Sequence, residues 1–243
     1  MSGLEGKRIG IPRNAIDECP TDISHATADF EIAIRKMKEA GATIVEDTDF
    51  TAFTDWKKRS YNLVTRADFA SNIVKFLNQL DHNPNNIDSL ESLRSFTRNH
   101  PEEDYPARNT FTWDVAIERH LCNTCPEFKS LLWENLWLGG EGGVLGALER
   151  HSLDAIALPT TAAFEIPALV GTPIITVPLG AASENTLVTM EPSEDNVVEM
   201  GPGIPFGISF LGRKWSEQTL IEIAYAFEQR SLVRPCLKRH VEI

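Results

Sequence analysis

At 243 residues the chain is long enough for one large domain or two small ones, and 42% hydrophobic with 24% charged residues is an ordinary soluble, folded composition. Its 23 Lys and Arg against 35 Asp and Glu leave a formal charge of −12, which repels a phosphate backbone and excludes nucleic acid as an expected partner. No apolar h-region follows the first residues and no stretch approaches the roughly 18 apolar residues of a membrane span, so no membrane is expected, the cytoplasm is the expected compartment, and the four cysteines are expected as reduced thiols.

Residues 7–11 form a short apolar run closed by Pro12, the pattern of a buried strand. Asp22 is placed to cap a helix in which Ala26, Phe30, Ala33, Ile34 and Met37 recur at three- and four-residue steps, with Gly41 as its stop. Residues 43–45 read as the next strand, which makes a βαβ unit with parallel strands and a right-handed crossover. Residues 51–80 read as mostly helical on the spacing of Phe53, Trp56, Tyr61, Val64, Phe69, Ile73, Phe76 and Leu77.

The stretch 81–106 is rich in Asn, Asp, Pro and Ser and reads as a polar excursion with a short helix near 90–96. A second helical region runs over about 111–150 and is interrupted near Cys125-Pro126. Residues 155–158, 174–177 and 206–211 are three further strands, and Ser216 is placed to cap a closing helix carrying Leu220, Ile221, Ala224 and Phe227. Alternating helices and short strands predict an α/β fold with a largely parallel or mixed sheet between helical layers.

Three local patterns invite chemistry and fail on context. Gly139-Gly140-Glu141-Gly142-Gly143 lacks the preceding strand and the Gly-Lys-Ser/Thr ending of a phosphate loop, so a helix kink or turn is expected. His120-Leu121-Cys122-Asn123-Thr124-Cys125 holds a C-x-x-C but no second ligand pair for zinc, and does not open a helix directly after a strand as a thioredoxin-like motif does; free cysteines are expected. In Gly207-Ile208-Ser209-Phe210-Leu211-Gly212 the spacing is one residue too long for a nucleophile elbow, and Ser209 falls inside a strand. The six histidines show no catalytic spacing.

From residue 153 onward the motifs are more specific. Leu153-Asp-Ala-Ile-Ala-Leu-Pro-Thr160, Gly171-Thr-Pro-Ile-Ile-Thr-Val-Pro-Leu-Gly180 and Gly203-Ile-Pro-Phe-Gly-Ile-Ser-Phe-Leu-Gly212 resemble conserved blocks of the amidase-signature family, as do Ala224-Tyr-Ala-Phe-Glu-Gln229 and, upstream, Gly6-Lys-Arg-Ile-Gly-Ile-Pro-Arg13 and Gly41-Ala-Thr-Ile-Val45. The resemblance is to the C-terminal half of such enzymes. It implies a single amidase-like domain over 1–243, a three-layer α/β/α fold with an incomplete mixed sheet, and no cofactor or metal.

It also implies hydrolysis of carboxylic amides by a serine activated through a cis serine and a lysine, with backbone donors holding the oxyanion. The family's Gly-Ser-Ser-Gly-Gly segment has no counterpart here, since no two serines are adjacent in the 243 residues. No catalytic residue is therefore assigned, and the expected substrate-binding residues are Thr160, Gly171, Thr172 and Pro173, toward a small amide substrate or ligand. The chain is expected to be inactive alone, a truncated relative or pseudoenzyme. The other readings are a non-catalytic binding protein that keeps the fold, and an esterase using Ser209. An incomplete sheet implies an exposed edge open to a partner chain or to self-association.

Overall fold

A computed structural model of the chain describes residues 2–58, 63–190 and 197–237, so Tyr61 lies outside the described residues. In chain order the first elements are β1 (Arg8–Gly10), α1 (Arg13–Asp17), α2 (Ser24–Glu39), β2 (Thr43–Val45), α3 (Phe53–Lys58) and α4 (Leu63–Leu77). There follow α5 (Leu90–Asn99), α6 (Phe111–Glu118), α7 (Pro126–Gly139), α8 (Val144–Arg150), β3 (Ala155–Pro159) and α9 (Glu165–Ala168). The last are β4 (Ile174–Ala181), β5 (Thr189–Met190), β6 (Val198–Met200), β7 (Pro205–Leu211) and α10 (Glu217–Ser231). Two compact units emerge, one built from residues up to Lys58, Asn135–Thr189 and those from Met200 onward, the other from 59–134 and 190–199.

The first unit holds a five-stranded mixed sheet in the order β2-β1-β3-β7-β4. Strand β1 is parallel to both β2 and β3, with Ile9 opposite Ile44 and Ala155. Strand β7 runs antiparallel to β3 on one side and β4 on the other. Four strands thus point one way and β7 alone is reversed. The expected parallel βαβ unit is present at 8–45, and the sheet is mixed as the pattern implied.

Helix α2 buries the five expected side chains, among them Phe30 and Met37. Gly41 follows it at φ +92°, a left-handed conformation that a side chain would disfavour. Asp22 acts one step outside the expected cap: the helix begins after Ile23, and the Ser24 backbone N–H donates to Asp22 Oδ1 at 2.8 Å. Ser216 precedes α10 as expected, yet its hydroxyl donates to the Arg213 carbonyl rather than to the helix.

One sheet face is packed by α2 and α10. On β7, Phe210 meets Phe227 of α10 edge-on at 6.0 Å, and both are fully buried. Ile175 and Val177 of β4 lie opposite Phe210 and Ile208, so they share that face. The alternate residues of β4 behave differently: Ile174 and Thr176 are exposed and Pro178 is half-exposed. Burial alternating with a period of two marks β4 as a strand covered on one face and open on the other.

The glycine cluster is a helix-to-helix turn between α7 and α8, as expected. A side chain on Gly139 would press within 2.8 Å of the Ile166 carbonyl, and the Gly142 carbonyl accepts from Ala52 N–H at 2.8 Å, so the glycines serve close backbone approach.

The second unit is helical. Helix α5 is held by a capping box in which the Ser89 and Ser92 side chains serve each other's backbone N–H. Asp114 of α6 receives both Arg94 (3.2 Å) and Arg98 (2.7 Å) of α5. The expectation of four free cysteines is corrected here: Cys122 and Cys125 are joined in a disulfide, their Cα atoms 5.6 Å apart. The turn between α6 and α7 brings them to bridging distance, a consequence of chain reversal that residue counting did not reveal. Cys19 and Cys236 are free.

Candidate functional site

The strands β1, β2, β3 and β4 all end on the same side of the sheet, where ligands of open α/β sheets ordinarily bind. Arg13 stands just beyond β1 there, its guanidinium donating to Glu31 at 2.6 Å and Glu46 at 2.9 Å. These bonds, that to Glu31 first, raise it further above its already high ordinary pKa. Its charge is neutralised within the protein, so Arg13 ties elements together rather than offering a cation to a ligand.

Thr160 directly follows β3 at this end. Its hydroxyl lies 2.9 Å from Ser209 Oγ, and Ser209 Oγ lies 2.8 Å from Thr176 Oγ1. Three adjacent strands therefore carry a row of hydroxyls, with Ser209 fully buried at the centre and Thr176 exposed at the open face of β4. Gly207 clears the space: a Cβ there would come within 2.7 Å of both Thr160 Oγ1 and Thr176 Cγ2. The row satisfies a buried polar group that would otherwise cost about 1–3 kcal/mol.

Of the expected substrate-binding residues, Gly171, Thr172 and Pro173 sit elsewhere. They precede β4, where the Pro173 carbonyl accepts from Gly212 N–H at 3.2 Å. Gly212 follows β7 directly and lies three residues from Ser209, so about 10 Å of extended chain separates this group from Ser209 and the Thr160 it bonds, at roughly 3.4 Å per residue. Gly171 adopts φ +64°, which turns the chain into β4. Thr172 is 8% exposed, its N–H donates to the Pro167 carbonyl at 3.2 Å, and its Oγ1 has no hydrogen-bond partner among the described residues. The four residues thus form two groups, Gly171, Thr172 and Pro173 just before β4 and Thr160 beside Ser209 and Thr176 within the sheet.

Thr176 and Ser209 join Thr160 through strand pairing that sequence reading missed. Two hydroxyls inside otherwise apolar strands were a visible signal, but only the antiparallel register sets Ser209 opposite Thr176. Chemically the row is a set of weak donors and acceptors. Neither threonine can take a proton from Ser209 at neutral pH, so Ser209 lacks the adjacent base that activates a serine nucleophile. Among the described residues no group of three His, Cys, Asp or Glu side chains could hold a metal ion. No described helix is long and apolar enough to cross a membrane.

This mixed α/β sheet and its helices have the amidase-signature fold, as comparison with solved structures shows. Native peptide amidase from Stenotrophomonas maltophilia superposes with a TM-score of 0.74 at 23% identity, over 99% of this chain and 46% of that one. No protein-family model matches the chain. A putative amidase of Arthroderma benhamiae is 46% identical over 243 residues, which is all of this chain and 40% of that protein. A probable amidase of Arabidopsis thaliana is 24% identical over 96% of this chain and 40% of its own length. The chain is similar to these amidases along its whole length, and it spans about 40% of the length of the curated relatives it matches.

Proposed function

We propose that the chain is the sheet-bearing, pocket-wall part of a carboxylic amide hydrolase, and that it is inactive alone because the serine, cis serine and lysine of the reaction are supplied from outside it. The observation that carries this reading is the pairing of a family likeness covering the whole chain with a sequence in which no two serines adjoin. The open β4 face supports it. Ile174 and Thr176 are exposed on a strand whose other face is packed, which is where a further layer of an α/β/α fold would lie.

In this reading Thr160 contributes a hydroxyl at the carboxyl end of the sheet, oriented through Ser209 and Thr176. Gly171, Thr172 and Pro173 shape the entry to β4, where the Thr172 hydroxyl is buried without a partner among the described residues. The substrate is a small amide, for which a peptide amide is the first to try, since peptide amidase shares the fold.

The test uses a fluorophosphonate probe and a peptide amide substrate. The isolated chain should take no label and release no ammonia. Adding the separately expressed remainder of the Arthroderma benhamiae amidase should restore both, with the label on the added segment. Stoichiometric labelling of the isolated chain would overturn the proposal, and so would a lack of any binding between the two segments.

A further inference from the structure

The turn between α6 and α7 plays no part in the proposed hydrolase chemistry, yet it carries a disulfide. Cys122 and Cys125 are disulfide-bonded and both half-exposed. Only two residues lie between them, so the bond removes little entropy from the unfolded chain and is a weak staple. The loop stays in place by other means: Asn123 N–H donates to Ser71 Oγ at 2.9 Å and Asn123 Nδ2 to Asp68 Oδ1 at 2.9 Å, both on α4.

Both half-cystines line a small open cleft of about 40 Å³ whose other walls include Leu63, Leu121, Phe128 and Leu131. Arg119 and His120 also line it, with Glu127 as the acidic member. Cys125 immediately precedes α7 and its carbonyl accepts from Phe128 N–H at 3.1 Å, so the residue stands at the positive end of a 14-residue helix.

We propose that Cys122–Cys125 is a thiol–disulfide exchange site for small peptide thiols of the glutathione class, whose carboxylates Arg119 and His120 would meet. The incoming thiolate attacks Cys122 Sγ, the Cys122–Cys125 bond breaks, and Cys125 leaves as the thiolate that the helix end stabilises. A second thiolate then attacks the external sulfur of the mixed disulfide. This releases the small-molecule disulfide and the Cys122 thiolate, and two electrons have passed to the protein. The inference is independent of the hydrolase reading.

The experiment equilibrates the full chain in glutathione buffers of graded reduced-to-oxidised ratio, then reads each cysteine by differential alkylation and mass spectrometry. Cys122 and Cys125 should change together in one two-electron transition. Cys19 should remain a thiol, because burial first and then Glu165 raise its pKa and leave less reactive thiolate. A rapid alkylation quench should find glutathione on Cys122 and the alkyl group on Cys125, and Cys125→Ser should accumulate the adduct on Cys122. A pair that stays reduced at every ratio, stays oxidised in excess reduced glutathione, or carries the adduct on Cys125 would overturn the proposal. Circular dichroism of each variant checks that the fold is retained.

Discussion

Ser209 shows how a residue that looks catalytic can be structural. Its hydroxyl is fully buried between two others, and the bonds to Thr160 and Thr176 replace those it would make to water. Ser209→Ala deletes the central member, leaving Thr160 to find a new partner while exposed Thr176 turns to solvent. The expected cost is about 1–2 kcal/mol in urea unfolding, near a single buried hydrogen bond rather than a cavity. Phe210→Ala, one residue on and on the packed face, should cost about 3–5 kcal/mol, since it empties the space against Phe227. A Ser209→Ala variant as stable as the parent would mean that the hydroxyl row contributes nothing to the sheet.

Among the elements, α2 offers a pH-dependent test. Asp22 is held below its ordinary value of 3.8, chiefly by the Ser24 backbone N–H and then by the Ser24 hydroxyl. A depressed folded-state pKa means that the stabilisation is present above the ordinary carboxylate value and is lost as pH falls through the folded one. Asp22→Ala should therefore lower the denaturation midpoint at neutral pH, and the gap to the parent should close once the pH drops below the carboxylate range. A gap of constant size from neutral pH to strong acid would show that the carboxylate's charge is not what caps α2. This cap was legible in the sequence to within a residue, as were α2, β1, β2 and Gly41, because local periodicity and a left-handed stop need no tertiary information. The short α1 and α9 and the β5–β6 ribbon were not, since elements of two to five residues hold too few positions to show a period. The site was half legible. Motif likeness pointed to Thr160 and Thr172, but their separation along β7 depends on the reversed strand between β3 and β4, a topological fact that strand propensity does not encode.

At the scale of the whole molecule, the consequence lies at the sheet's last strand. β4 ends the order β2-β1-β3-β7-β4, so one of its edges has no partner strand among the described residues, and its Thr176 face is open as well. An edge that carries exposed Ile174 beside an uncovered face combines two features that drive association, unpaired backbone groups and apolar area in water. The charge of −12 opposes this at low ionic strength, where like-charged copies repel across a longer distance. Self-association should therefore grow as salt is added, with the chain sedimenting as a monomer in dilute buffer and as larger species in concentrated salt, accompanied by binding of a hydrophobic dye. Ile174→Lys places a charge on the edge at a site 39% exposed, where it disturbs little of the core, and should return the salt-treated chain toward monomer with at least a halving of dye fluorescence. If the unaltered chain stays monomeric and binds no dye at every salt concentration, β4 is not an adhesive edge, and the open face must then be protected by something other than a second protein layer.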